Sequence, residues 1–64
     1  MLNPYTIRIV TERGDEYVYH EWAHSFDSAD NLAVTAHNTV TDGERIRYLA
    51  TSISSKRHLT SNLN

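Results

Sequence analysis

The residues best suited to chemistry are His20, Glu21, Trp22, Ala23 and His24, in that unbroken order. Two histidines four positions apart stand one turn apart on a helix, where they point the same way and can share a Zn²⁺. The intervening Glu21 would then act as general base on the bound water. The spacing works only on a helix. On an extended strand, His20 and His24 would be about 13 Å apart and could not share a metal. The local composition favours the strand, because Tyr17, Val18, Tyr19 and Trp22 are all aromatic or β-branched. The competing assignment is a long helix from Asp15 onward, since Val18, Trp22, Phe26, Ala29, Ala33 and Ala36 recur at helical spacing.

The H-E-x-x-H pattern resembles the zinc-dependent metallopeptidases, and the resemblance extends to the uncharged flanks Val18, Tyr19, Trp22, Ala23, Ser25 and Phe26. It implies a third ligand, and Glu44, 20 residues after His24, resembles that of the thermolysin-like branch. Such enzymes resemble multi-element domains with a substrate-binding sheet and a supporting helix beside the zinc helix. A chain of 64 residues buries only about 60% of the surface its unfolded form exposes and has no room for both. The sequence therefore predicts no enzyme, no catalytic residue, no metal and no cofactor. The alternative is a zinc-binding protein or minimal metallopeptidase-like domain using His20-Glu21-x-x-His24. On a strand the two histidines become ordinary edge residues on the face of Val18 and Trp22. His37 and His58 carry no recognisable partner pattern, and no Ser or Thr sits in a nucleophile-elbow sequence. Two separate glycines cannot build a phosphate loop.

The positioning elements follow from periodicity. Tyr5, Ile7 and Ile9 alternate with Thr6, Arg8 and Val10, and a second aromatic and β-branched run spans Glu16 to Trp22, with a turn at Arg13 and Gly14 between them. A two- or four-residue loop sets Ile9 opposite Val18, Ile7 opposite His20 and Tyr5 opposite Trp22, whereas a three-residue loop would exchange the faces. Asp27 or Ser28 is the expected helix cap, with Ala29, Leu32, Ala33, Ala36 and Val40 on the buried stripe and Asp42 and Gly43 as the stop. The segment from Ile46 to Ile53 fits either a helix face or a strand, and a strand completes a sheet. The expected fold is a small single α+β domain over residues 1–55, hairpin then helix then strand, with the helix on one face of a three-stranded sheet and a right-handed crossover into the last strand. Residues 56–64 are expected to form a polar flexible tail.

The chain carries six Lys and Arg against eight Asp and Glu, for a formal charge of −2, and has no Cys. All eight acids precede Lys56, so residues 1–55 are moderately acidic, which disfavours general nucleic-acid binding. Without Cys, a chain this short lacks disulfides and thiolate metal sites, and the remaining routes to stability include a partner subunit. Composition and the absence of a long apolar run predict a soluble, unprocessed, cytoplasmic chain that does not enter a membrane. With Ile7, Ile9, Val18 and Trp22 under the helix, the opposite face would display Arg8, Val10, Tyr17, Tyr19 and Glu21. Arg8, Tyr17, Tyr19 and Glu21 are the candidate binding residues, for a protein partner or for a homodimer. The order hairpin, helix, strand, with Tyr17, Tyr19 and His20 together on the second strand, is similar to the small dimeric uracil-DNA glycosylase inhibitors of Bacillus phages. That resemblance covers residues 5 to 53 and implies a phage-encoded inhibitor or regulator of a host protein. The chain departs from the family at Arg45 and Arg47, which a DNA mimic would avoid.

Overall fold

A computed structural model of the protein describes residues 1–54, so the expected tail at 56–64 lies outside the described residues. The elements run β1 (Asn3–Thr11), β2 (Glu16–Ala23), α1 (Phe26–Thr41) and β3 (Ile46–Ile53). The sheet order is β2-β1-β3, antiparallel throughout, so β1 is central and β2 and β3 run parallel to each other on either side of it. One helix covers one face of this sheet, which is the α+β architecture expected from the sequence. The segment at 46–53 is a strand, and so is Glu16–Ala23, in place of the competing helix from Asp15.

The hairpin register differs from the expected one by one residue. Ile9 stands opposite Tyr17, Ile7 opposite Tyr19 and Tyr5 opposite Glu21. The cause is the loop, which has three residues, Glu12, Arg13 and Gly14, closed by a hydrogen bond from the Thr11 amide to the Asp15 carbonyl at 2.9 Å. Gly14 takes φ +89°, the left-handed conformation in which three-residue hairpin loops commonly end. Its amide donates to the Thr11 carbonyl, and the Thr11 hydroxyl accepts from the Asp15 amide. Because side chains alternate along a strand, one position of slip exchanges every β2 side chain between the two faces of the sheet.

The core is consequently Tyr5, Ile7 and Ile9 of β1, Ala23 of β2, and Ala29 and Ala33 of α1, with Tyr19, Ile46 and Leu49 packed against it. Alanines at the contact let the helix sit close to the sheet. Tyr5 adds an edge-on contact with Phe26, ring centroids 5.0 Å apart. The helix begins two to three residues earlier than expected, because Ser25 is the cap and its hydroxyl accepts from the Ser28 amide at 3.1 Å. Its end is where the sequence puts it: Asp42 (φ 58°) and Gly43 (φ 84°) are both left-handed, and both amides donate to the Asn38 carbonyl. The buried stripe also differs, running through Ala29, Ala33 and His37, while Leu32 and Val40 are exposed. On the side of α1 nearest β3, Asp30 accepts a hydrogen bond from the Thr51 hydroxyl.

Candidate functional site

The one-residue register shift divides the expected binding residues between two surfaces. Arg8 lies on the open face of the sheet, opposite Val18 and Ala50 on its two neighbours. Tyr17, Tyr19 and Glu21 lie on the helix side and are half-buried. Conversely Val18 and Trp22, expected under the helix, are on the open face and about half exposed.

Beneath the helix, Tyr17 and Tyr19 enclose His37. The imidazole is fully buried and lies edge-on to both rings, at centroid distances of 5.3 and 6.1 Å. Both ring nitrogens are satisfied. Nε2 lies 2.9 Å from the Glu44 carbonyl, which can only accept, so Nε2 carries the proton and Nδ1 accepts from the Tyr19 hydroxyl at 3.1 Å. Burial, with Tyr17 adding to it, raises the Tyr19 hydroxyl above the usual phenol range. Thr41 completes the arrangement, donating to the His37 carbonyl at 2.7 Å and accepting from the Glu44 amide at 3.1 Å. This network fastens β2, the end of α1 and the turn into β3 together. His37 thus has partners that its sequence neighbourhood did not suggest; the available signal was its position four residues after Ala33 and eight after Ala29.

The H-E-x-x-H segment falls on β2 and the residue after it, so its histidines do not have the helical geometry that a shared metal requires. His20 is on the open face, where its Nδ1 lies 3.3 Å from the Thr6 hydroxyl, which in turn contacts the Ser54 hydroxyl. His24 lies past the strand end, beside α1. Glu44 follows the far end of α1, about 24 Å along the helix from His24. Among the described residues, no three His, Asp or Glu side chains cluster in a way that could hold a metal ion.

The sheet face opposite α1 is also exposed. Its large exposed apolar side chains are Val18 (49% exposed), Trp22 (54%) and Tyr48 (50%). Beside Val18, Arg8 pairs with Glu16 at 2.6 Å, so these two charges largely offset each other. Beside Arg8, Thr6, Ala50 and Ser52 form a shallow depression of about 220 Å³. No helix among the described residues is long and apolar enough to cross a membrane. The described residues thus form a small α+β domain in which α1 covers one sheet face and not the other. No protein-family model, curated protein or solved structure matches the chain.

Proposed function

We propose that the chain is a non-catalytic protein-binding module that receives its partner on the sheet face opposite α1. The observation that carries this is the exposure of Val18, Trp22 and Tyr48 around a neutralised ion pair on that face. Large aromatic side chains offer much contact area for little conformational entropy, and Trp and Tyr are enriched among residues that dominate interface energies. With a formal charge of −2 and Arg8 paired to Glu16, the chain suits another protein surface better than a phosphate backbone, whose binding depends on several unpaired cations. Arg8 remains a candidate contact on this face, joined by Val18, Trp22 and Tyr48, while Tyr17 and Tyr19 are committed to His37. In its finer form the proposal is an inhibitor or regulator of another protein, the reading that the sequence resemblance to the phage inhibitors implies.

Capture of a partner by the tagged chain, compared with a Trp22→Ala, Tyr48→Ala pair, tests the assignment. Neither residue belongs to the buried core, so the pair should keep the wild-type circular dichroism spectrum. Removing these two large aromatic side chains should weaken binding by roughly 2 to 4 kcal/mol. Unchanged capture by the folded double variant would show that this face does not bind.

A further inference from the structure

We propose that the depression beside Arg8 receives a carboxylate of the partner protein, an Asp or Glu side chain set in an apolar surface. This rests on the open sheet face being the binding face, and it adds the partner's chemistry and the residues that select it.

The depression follows from the sheet register. Arg8 of β1 stands opposite Ala50 of β3, and Thr6 opposite Ser52, all on the face away from the buried Ile7 and Ile9. Neighbours in this arrangement are about 5 Å apart across the strands and about 7 Å apart along them. Ala50, between Tyr48 and Ser52 on its face of β3, is too short to fill its corner, which leaves a space of about 220 Å³. Thr51 also lines this space, but its hydroxyl donates to Asp30 of α1 and is not available to a ligand.

The chemistry of the lining selects an anion. A guanidinium carries five N–H donors, and a bidentate carboxylate takes two of them, so the pair with Glu16 leaves donors for a second carboxylate. Ser52 is exposed, and among the described residues its hydroxyl has no partner. Thr6 is held between His20 and the Ser54 hydroxyl, which fixes that wall of the depression. No Asp or Glu lines the space; Glu16 is on β2, across β1 from it. One guanidinium already shared with Glu16 suits a single negative charge. A phosphate group carries nearly two and calls for further cations, which this lining lacks.

The surroundings say what carries that charge. Val18 stands opposite Arg8 on β2, and Tyr48 precedes Ala50 by two residues on β3, so an apolar side chain flanks the site on each side. Contact of these two with a partner excludes water from the pair between them and strengthens it. Glu16 then acts as a tethered competitor, holding the guanidinium while the face is bare and yielding part of it to the incoming carboxylate. The sign of its effect is diagnostic. Removing a competitor strengthens carboxylate binding, whereas removing a purely structural partner loosens Arg8 and weakens it.

Titrating the isotope-labelled full chain with the blocked peptide acetyl-Leu-Glu-Leu-amide and with its Gln counterpart, read by amide chemical shifts, tests the assignment. The Glu peptide should bind about three- to tenfold more tightly than the Gln peptide and shift Thr6, Arg8, Ala50 and Ser52. Arg8→Gln should remove the preference. Ala50→Val narrows the depression without changing any charge, and should reduce it. Glu16→Gln should raise affinity for the Glu peptide at least about twofold. All three positions are exposed, so the variants should keep the wild-type spectrum. An equal response to the two peptides, including none to either, would overturn the proposal. So would a preference that survives Arg8→Gln, weaker binding of the Glu peptide by Glu16→Gln, or tighter binding of inorganic phosphate than of the Glu peptide. The two readings fail differently: a wrong subsite leaves both peptides shifting Val18, Trp22 and Tyr48 alike, whereas a wrong face leaves partner capture unchanged in the Trp22→Ala, Tyr48→Ala pair.

Discussion

His37 illustrates how a polar residue becomes part of a core when its partners are fixed by different elements. Its two hydrogen bonds reach β2 through Tyr19 and the turn before β3 through Glu44. Replacing it with Ala removes a filled volume and leaves the Tyr19 hydroxyl and the Glu44 carbonyl without this partner, so urea unfolding should show a loss of about 3 kcal/mol. Tyr19→Phe leaves the ring packing but strips Nδ1 of its donor, and should cost about 1 to 2 kcal/mol. Tyr19 also sets an alkaline limit. Its hydroxyl pKa is raised in the folded state, so the folded protein holds this proton more tightly than the unfolded chain. The corresponding stability is present in full below the unfolded value near 10 and is lost as pH rises through the folded one. Denaturation midpoints measured from pH 8 to 11 should therefore fall more steeply for wild type than for Tyr19→Phe. The helical spacing from Ala29 and Ala33 could have placed His37 on the buried stripe, but its partners, 18 residues before and 7 after it, were not readable from the sequence.

Among the elements, those with strong local signals were legible and those fixed by turn geometry were not. The alternation through Tyr5, Ile7 and Ile9 and the β-branched run to Trp22 identify two strands, and Asp42-Gly43 marks the helix end correctly. The hairpin register was ambiguous because Arg13-Gly14 fits loops of two, three or four residues, and the left-handed Gly14 belongs to the three-residue form. The cap was misplaced because Ser25, Asp27 and Ser28 are all competent caps within four positions. Gly14→Ala should destabilise by about 1 kcal/mol through backbone strain alone, because the space a Cβ would occupy is open. Asp42 is a non-glycine residue in left-handed conformation, and its negative charge lies at the negative end of the helix dipole. Asp42→Gly should therefore raise stability by about 0.5 to 1 kcal/mol in thermal or urea melts.

At the scale of the whole molecule, one loop residue decides which side chains are structural and which are available to a partner. The three-residue loop places Tyr17 and Tyr19 against His37 under the helix and turns Val18 and Trp22 outward beside Arg8. With the other register the assignments would reverse, and the open face would carry the tyrosines. Fold class was legible because it depends on element type and order, whereas the site depends on side-chain parity, which local sequence signals constrain weakly. The single Trp supplies an intrinsic reporter for this face. Trp22 should be readily quenched by acrylamide in the free protein and protected in a complex that covers the open sheet. The most direct test of the central claim is the set of cross-strand nuclear Overhauser contacts in the labelled full chain. Contacts joining Ile7 with Tyr19 and Ile9 with Tyr17, together with contacts from the His37 ring to both tyrosines, are the predicted result. Contacts joining Ile7 with His20 and Ile9 with Val18 would contradict it and return the tyrosines to the open face.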